Sequence, residues 1–277
     1  MYTIINKQTL APGIVRLRVA APLVARGAKA GQFCMVRPHA LGERIPLTLA
    51  GWSRAEGWID IILQCMGAST RQIAELPVGG ALADVAGPMG QPSHLDAKRA
   101  VCVGGGVGTA VLLSQIKALH EKGAVVNAIV GARNRDMVIL EDELQTMVDR
   151  LIICTDDGSY GRAGLVTVAL EELIASEPAF DLCLAIGPVR MMQAVANLTR
   201  PHNLPTMVSL NPIMIDGTGM CGGCRVSVGG QTRYACVDGP DFDGHLVDFD
   251  TLNLRLGAYR QQEQALLEAH ICKLGGQ

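Results

Sequence analysis

The residues AVCVGGGVGTAVLLSQIKALHEKG, numbers 100–123, decide the fold of the second half of this 277-residue chain. An apolar run ends in a turn of glycines, and a stretch with helical periodicity follows and stops at Gly123. Backbone amides at the start of such a helix attract an anion, and glycines let it approach closely. Tight packing of a strand on a helix also calls for glycine. The candidates for contact with a dinucleotide are Gly104, Gly105, Gly106 and Gly108.

Strand and helix patterns alternate four times between residues 98 and 210. After the first pair come the strands AVVNAIVGARN, RLIICTDD and DLCLAIGP, separated by the helical stretches EDELQTMV and LVTVALEELIAS. The stretch VRMMQAVANLTR follows as the last helix. Such alternation is typical of a parallel, doubly wound sheet.

Loops after the later strands supply further candidates, because ligands of open α/β sheets bind beyond the carboxyl ends of the strands. We expect Arg133 to contact a phosphate or the adenosine half of a dinucleotide. We expect Asp156 and Asp157 to accept ribose hydroxyls, and an Asx turn is the structural alternative. Gly187 follows the fourth strand, where the chain could approach a nicotinamide.

Residues 1–97 predict a small antiparallel β-barrel. β-Branched and alternating runs recur as YTIIN, IVRLRVA, QFCMVR, IPLTLAGW and GWIDIILQC, with glycine, proline and polar residues between them. In ERIPLTLAGW, the Thr48 hydroxyl could hydrogen-bond a flavin edge and Arg44 could neutralise a pyrophosphate. The stretch MGAST, residues 66–70, offers backbone amides and hydroxyls to phosphates. None of these signals is specific when taken singly.

The third part of the chain contains a cysteine motif. Cys221, Cys224 and Cys236 form C-x2-C-x11-C, and Asp216 precedes them as D-x4-C. The plant-type [2Fe–2S] spacing is C-x4-C-x2-C with a distant fourth cysteine, so Asp216 stands in the place of the first. Nearby glycines allow amides to turn inward toward sulfur, and iron accepts carboxylate oxygen. The pattern favours a [2Fe–2S] cluster.

Three other interpretations of the motif stay open. Zinc accepts the same four residues in a tetrahedron, and a CxxC pair can act as a thiol switch. Asp216 could also cap the glycine turn without binding metal.

Composition excludes several classes of function. Lys and Arg number 24 and Asp and Glu 26, for a net charge of −2, so no basic field exists to hold nucleic acid or an anionic membrane. No run of 18 apolar residues predicts a membrane span, and the first residues lack the pattern of a signal peptide. Nine cysteines without a secretory signal argue against a disulfide framework. We therefore expect a cytoplasmic protein.

The order of the motifs is more specific than any one of them. R-I-P-L-T, GGGVGTA, TDDGSYG and the cysteine loop follow one another as in the ferredoxin–NADP reductase superfamily, which the chain resembles. Within it, the chain is similar to electron-transfer subunits of dihydroorotate dehydrogenase. It resembles more closely the small subunits of NADH-dependent ferredoxin:NADP oxidoreductases, a group that includes sulfide dehydrogenase-like subunits. This resemblance rests mainly on the stretches IDGTGMCGGCRVSVGG and YACVDGPDFDGHLVDF, with Asp216 where the dihydroorotate dehydrogenase relatives have Cys.

The resemblance implies three modules: an FAD-binding barrel (1–97), an NAD(P)-binding α/β domain (98–210), and a [2Fe–2S] segment with a C-terminal helix (211–277). It implies FAD contacts from Arg44, Pro46, Leu47 and Thr48, and a pyrophosphate loop at Gly67, Ser69 and Thr70. It implies nicotinamide nucleotide contacts from Gly105, Gly106, Gly108 and Thr109, and cluster ligands Asp216, Cys221, Cys224 and Cys236. Ile45 stands where the superfamily pattern places arginine, and Leu47 stands where an aromatic residue often stacks on the flavin.

The expected function is hydride exchange between NAD(P)(H) and FAD, and single-electron exchange between FAD and the cluster. The resemblance places the chain in an electron-bifurcating complex with a larger subunit that carries more flavin and [4Fe–4S] clusters, and with ferredoxin as a partner of that complex. The alternatives are an electron-transfer subunit of dihydroorotate dehydrogenase and a zinc-bearing, nucleotide-binding regulatory protein. The acidic pair Asp156 and Asp157 favours NAD, whereas Arg133 suits the 2′-phosphate of NADP.

Overall fold

The computed structural model describes residues 1–265 and residue 268. Its first part is a near-closed barrel in which each neighbouring pair of strands is antiparallel, in the order β6-β1-β2-β5-β4-β3-β7. The predicted barrel is therefore confirmed. The elements of this part are β1 (Tyr2–Ala11), β2 (Ile14–Ala20), α1 (Pro22–Gly27), β3 (Phe33–Arg37), β4 (Ile45–Ser53), β5 (Trp58–Gln64), α2 (Ala68–Glu75), β6 (Ala81–Leu82) and β7 (Asp84–Met89).

Along strand β3, successive side chains alternate between the interior of the barrel and its outer face. Cys34 and Val36 point into the interior and are fully buried with the other inward residues of the barrel. Phe33 and Met35 point outward, yet they are also buried, because they belong to a second apolar core outside the barrel. The outer face of β3 is therefore an interface with the rest of the chain.

The second part is a parallel sheet with helices on both faces. Its elements are β8 (Arg99–Gly105), α3 (Gly108–Glu121), β9 (Val125–Ala132), α4 (Glu141–Gln145), β10 (Arg150–Thr155), β11 (Arg162–Ala163), α5 (Val166–Ser176), β12 (Leu182–Ile186), α6 (Val189–Thr199) and β13 (Thr206–Ser209). The strands run in the order β11-β10-β9-β8-β12-β13, all parallel. The chain order reverses between β8 and β12, which opens a crevice at their carboxyl ends. The predicted doubly wound sheet is confirmed.

The third part of the chain adds a strand to the parallel sheet of the second part. It contains β14 (Arg225–Val228), β15 (Gln231–Tyr234), β16 (Asp241–Asp243) and α7 (Phe249–Leu256). Strands β14 and β15 form an antiparallel hairpin. Strand β16 pairs antiparallel with β13 and becomes the seventh strand of the parallel sheet. The cysteine loop is thus anchored to the nucleotide-type domain at both ends.

The predicted C-terminal helix is interrupted. Helix α7 ends at Leu256, a turn covers residues 257–259, and helical residues resume at 260. Gly257 lies in the turn, where its poor helix propensity favours a break. The remainder of the predicted helix, including Cys272, lies outside the described residues. Within the described part of the chain, no helix has the length and apolar character that crossing a bilayer requires.

A polar junction ties the three parts together beneath the surface. Asp241 of β16 accepts hydrogen bonds at Oδ2 from Ser93 Oγ (2.6 Å) and from Gln115 Nε2 (2.8 Å). Ser93 lies in the segment between β7 and β8, and Gln115 lies on α3. Asp241 Oδ1 and Gln115 Oε1 are buried without a hydrogen-bond partner among the described residues. Burial raises the pKa of the Asp241 carboxyl.

This junction predicts a pH-dependent stability. A carboxyl whose pKa is raised by folding stabilises the protein in its protonated form, and that contribution is lost as the pH rises through the folded-state value. We expect the free energy of unfolding of the wild type to fall as the pH rises above the ordinary pKa of a carboxyl, and Asp241→Asn to remove this fall. Urea unfolding at a series of pH values measures it. The exposed Asp136→Asn variant is the control, and parallel profiles for Asp241→Asn and the wild type would contradict the prediction.

Candidate functional site

The glycine turn after β8 lies at the crevice between β8 and β12. Gly105 packs against α6 and the loop after β12, since a Cβ there would lie 2.5 Å from Met191 Sδ and 2.9 Å from Pro188 Cδ. A Cβ at Gly187 would lie 3.0 Å from Gly105. Both glycines are therefore required by packing, which was the alternative considered for this turn. Gly106 differs, because its φ is +55° and nothing lies within 4 Å of a Cβ placed there. Gly106 leaves open space at the end of β8.

Other members of the turn face inward. Gly108 abuts the backbone of Ile186, so it also serves the contact between α3 and β12. The Thr109 hydroxyl is buried and has no hydrogen-bond partner in the part of the chain that the structure describes. A Cβ at Gly104 would lie 2.8 Å from this hydroxyl, so Thr109 turns toward β8. The Thr109 amide donates to the Gly106 carbonyl (3.2 Å), so it is already used within the turn.

Backbone hydrogen bonds connect the loop after β9 to the loop after β10. The amide of Asp156 donates to the Ala132 carbonyl (3.0 Å), and the amide of Asp157 donates to the Arg133 carbonyl (3.3 Å). Asp157 Oδ1 accepts hydrogen bonds from the amide (2.9 Å) and the hydroxyl (2.6 Å) of Ser159. These bonds hold the pKa of Asp157 below its usual range. Asp157 thus forms the Asx turn, while Asp156 and Arg133 stay exposed at the same edge.

The predicted flavin segment splits between two faces of the barrel. Pro46 pairs with Met35 and Thr48 pairs with Phe33, so these four residues share the outer face of the barrel. Leu47 points into the barrel interior and is 9% exposed. Leu47, which the resemblance places among the FAD contacts, therefore does not reach the outer face, where Pro46 and Thr48 lie half-buried.

The predicted pyrophosphate loop uses its side chains internally. The Thr70 hydroxyl accepts a hydrogen bond from the Gly67 amide and donates one to the Gly67 carbonyl, each 3.0 Å long. Ser69 Oγ donates to the Glu43 carboxylate (2.6 Å), and Arg44 forms an ion pair with Asp84 (3.2 Å). The donors left for a phosphate are the amides in the first turn of α2, which have no partner within the helix.

The cysteine loop brings two sulfur atoms together. Cys224 Sγ lies 3.2 Å from Cys236 Sγ, and both residues are buried. Cys221 is exposed, and its sulfur accepts a hydrogen bond from the Gly223 amide (3.4 Å). Across residues 1–265 and 268, no group of three or more Cys, His, Asp or Glu side chains converges closely enough to hold a metal ion.

Asp216 caps the glycine turn, as one alternative anticipated. Its two carboxylate oxygens accept the amides of Thr218 (2.7 Å) and Cys221 (2.8 Å). The hydrogen bond from the Thr218 amide, and to a smaller extent the one from the Cys221 amide, lowers the pKa of Asp216. An ionised carboxylate has about four lone-pair sites, so these two bonds leave acceptor capacity on each oxygen. Capping and metal binding are compatible at this residue.

The donors of the loop suit a thiolate-bound metal. The Cys236 amide donates to Cys224 Sγ (3.4 Å), as the Gly223 amide does to Cys221. Such amides stabilise negative charge on sulfur. Burial raises the pKa of the Cys236 thiol to about 12, so a metal must displace its proton. Three sulfurs and one carboxylate fit iron and zinc alike.

Sequence reasoning missed the partners of the flavin segment. Asp84 binds Arg44 of this segment, Glu43 of the segment binds Ser69 of the pyrophosphate loop, and Met35 and Met89 line the outer face of the barrel. The alternation in QFCMVR places Phe33 and Met35 on one face of their strand. Only the pairing of β3 with β4 shows that this face also carries Pro46 and Thr48.

A cavity of about 310 Å³ contains none of the predicted site residues. It lies between the barrel and helices α3 and α4. Arg18 on its wall stacks over Trp58 at 3.5 Å and binds the Asp60 carboxylate at 2.8 Å. Arg16 pairs with Glu143 across the two parts of the chain (2.8 Å). Because its charges are already paired, we interpret this cavity as a cleft at a domain contact.

Comparisons with known proteins agree with this arrangement. Residues 211–248 match the model of the iron-sulfur cluster binding domain of dihydroorotate dehydrogenase B. A Thermotoga maritima protein, a homolog of the dihydroorotate dehydrogenase B (NAD(+)) electron transfer subunit, is 42% identical over 98% of this chain and 96% of its own length. An uncharacterized protein from the adh 3′ region of Clostridium beijerinckii is 43% identical over 95% of this chain and 92% of its own length.

Solved structures show the same fold. A chain of the NADH-dependent reduced ferredoxin-NADP oxidoreductase, a structure that addresses flavin-based electron bifurcation, superposes with a TM-score of 0.92. It is 41% identical, and the match covers 98% of both chains. Phthalate dioxygenase reductase shares the fold at 19% identity, with a TM-score of 0.60 over 82% of this chain and 85% of its own.

Gly106 provides a test of the crevice. We expect Gly106→Ala to weaken binding of NADH several-fold, because a methyl group would occupy the space left open for the ligand. Gly123→Ala is the matched control, since Gly123 lies beyond the other end of α3 with φ +77° and open space around it. Each substitution strains the backbone by roughly 1–2 kcal/mol. Calorimetric titration measures binding, and equal loss in both variants would contradict a role for Gly106 in the site.

Proposed function

This chain belongs to the family of dihydroorotate dehydrogenase B electron-transfer subunits and their homologues, and from that premise we propose how its sites act together. It is an oxidoreductase subunit whose cofactors are FAD, NAD(H) and an iron–sulfur cluster. The chain exchanges a hydride between the nicotinamide and FAD, and single electrons between FAD and a [2Fe–2S] cluster. The observation that supports this most directly is the shared core, in which the outer face of β3 packs with Cys224 and Cys236.

The residues of the barrel and the parallel sheet have separate tasks. The first-turn amides of α2 bind the FAD pyrophosphate, and the Thr48 hydroxyl binds the flavin edge. The amides around Gly106 bind the nucleotide pyrophosphate, and Asp156 accepts a ribose hydroxyl. An exposed carboxylate at that position favours the unphosphorylated ribose of NAD over the 2′-phosphate of NADP. When bound, FAD supplies the change from two-electron to one-electron transfer.

The cluster ligands are Asp216, Cys221, Cys224 and Cys236. Cys224 and Cys236 are close enough to share one iron, since their sulfurs are 3.2 Å apart. Asp216 and Cys221 would bind the other iron. The Asp216 carboxylate accepts a hydrogen bond from the Cys221 amide (2.8 Å), which keeps these two residues together. The first pair is buried, whereas Cys221 is exposed and Asp216 is half-buried, so an iron held by the second pair would lie toward the surface.

A partner subunit covers that surface. Met220 and Ile215 flank the exposed ligands and are 90% and 60% exposed, and large apolar side chains in such a patch are typical of an interface. We propose a cytoplasmic complex with a larger subunit that carries additional flavin and [4Fe–4S] clusters and that exchanges electrons with ferredoxin. Electron bifurcation belongs to that complex, and the chain alone does not perform it.

A dihydroorotate dehydrogenase complex is the second candidate, because several relatives and the matched cluster domain bear that name. The resemblance, in which Asp216 stands where the dihydroorotate dehydrogenase relatives have Cys, favours the first candidate. Purification of the native complex separates the two by the identity of the larger subunit.

The first experiment is anaerobic purification of the chain, followed by flavin, iron and zinc analysis and titration with NADH and NADPH. We expect FAD and iron in a ratio of about one to two, as a [2Fe–2S] cluster requires, and bleaching of the flavin by NADH. NADPH should bleach it far more slowly. Zinc without flavin would overturn the proposal and favour a nucleotide-binding regulatory protein.

The ligand set can be tested by substitution. We expect Cys221→Ala to lose most of the iron while FAD stays bound, because the FAD residues lie on the barrel. Asp216→Cys should keep the iron but change the visible and EPR spectra. Cys65→Ala is the control, because Cys65 lies outside the loop and should leave the iron content unchanged. An unaltered spectrum in Asp216→Cys would remove Asp216 from the ligand set.

A further inference from the structure

Met35 lies between the candidate flavin surface and the cysteine loop. It is 1% exposed, and it pairs with Pro46 of β4 on one side and with Ala86 of β7 on the other. Opposed residues of antiparallel strands point to the same face, so the Met35 side chain lies on the face that carries Thr48. Neighbouring strands are about 4.8 Å apart. Met35 is therefore one strand away from the residues assigned to the flavin.

The cysteine loop reaches Met35 from the opposite direction. A Cβ at Gly217 would lie 2.8 Å from Met35 Cγ and 2.5 Å from Met89 Sδ. Gly217 follows Asp216 directly, and its φ of +78° is one that side chains rarely adopt. The loop approaches the barrel this closely only because residue 217 has no side chain.

The same core holds the inner pair of cysteines. Met35 belongs to the apolar core that contains Cys224 and Cys236, and Met89 packs against it. One side of Met35 thus faces the flavin strand, and the other faces the cysteine loop at Gly217. Together with Met89, Met35 forms a direct contact between the two predicted cofactor surfaces.

We propose that Met35 is the positioning residue that sets the separation between FAD and the iron–sulfur cluster, with Met89 as the second wall of the contact. This inference rests on the proposed function. A thioether is unbranched and polarizable and fills irregular gaps, so it keeps the interval dry and densely packed. Here one electron leaves the reduced flavin and one ferric ion of the cluster becomes ferrous. NADH is the reductant, and no bond to Met35 forms or breaks.

The test uses the full chain loaded with both cofactors. Met35→Ala, Met35→Leu and the wild type are mixed rapidly with NADH without oxygen, and flavin and cluster absorbance are followed separately. We expect Met35→Ala to reduce its flavin at the wild-type rate and its cluster several-fold more slowly. Met35→Leu keeps the buried volume and should restore the wild-type rate of cluster reduction.

A second measurement does not depend on turnover. The fluorescence lifetime of oxidised FAD is shortened by a nearby cluster, so we expect a longer lifetime in Met35→Ala than in the wild type or Met35→Leu. Cys221→Ala provides the lifetime without a cluster. Gly217→Ala, which introduces both strain and a clash, should lower the iron content while FAD stays bound.

Two results would overturn the inference while leaving the proposed function intact. One is a Met35→Ala variant with wild-type cluster reduction and wild-type lifetime. The other is equal slowing of flavin and cluster, which would mean that Met35 supports only the local fold. A wild-type chain without FAD or without iron would instead overturn the proposed function, and this inference with it.

Discussion

Phe33 and Met35, on the outer face of a barrel strand, pack in the same apolar core as Val101 of the parallel sheet and Cys236 of the cysteine loop. Burying one side chain of this kind contributes about 1.5–3 kcal/mol, and these residues contribute it only when all three parts of the chain are together. The core therefore couples the folding of the parts. It also fixes the distances between surfaces that must hold separate cofactors.

Directional contacts complement this apolar core. Asp241, Ser93 and Gln115 come from three different segments and meet at one carboxylate oxygen. Because a buried polar atom left without a partner costs about 1–3 kcal/mol, such a junction disfavours other ways of docking the same surfaces. Apolar packing supplies the stability of the interface, and the polar contacts specify its geometry.

Much of the fold could be predicted from periodicity. The strand, glycine turn and helix of residues 100–123 predict a parallel sheet because each signal is local, and the spacing of Cys221 and Cys224 is likewise a local pattern. Pairings between distant segments are not local. No nearby residue indicates that β16 joins β13, or that Leu47 points inward while Thr48 points outward.

The same limit applies to individual side chains of the site. The sequence alone left two roles open for Asp157, and the nearby Ser159 decides in favour of the turn. Thr109 stands where a ligand contact is expected, yet its hydroxyl turns toward β8. Gly105 and Gly106 are identical in the sequence, and only the neighbours of their missing side chains distinguish a packing glycine from one that leaves open space.

The pairing of Ser209 with Asp241 has a further consequence. The chain leaves the parallel sheet at β13 and returns beside its own point of departure, so the whole cysteine loop is an excursion whose two ends are neighbours. Segments with adjacent ends can be inserted or exchanged without changing the course of the scaffold that carries them, provided that the new segment covers Phe33 and Met35 as this loop does. In evolution, a lineage could therefore exchange this loop for another one while the domains that bind the nucleotide and the flavin kept their folds.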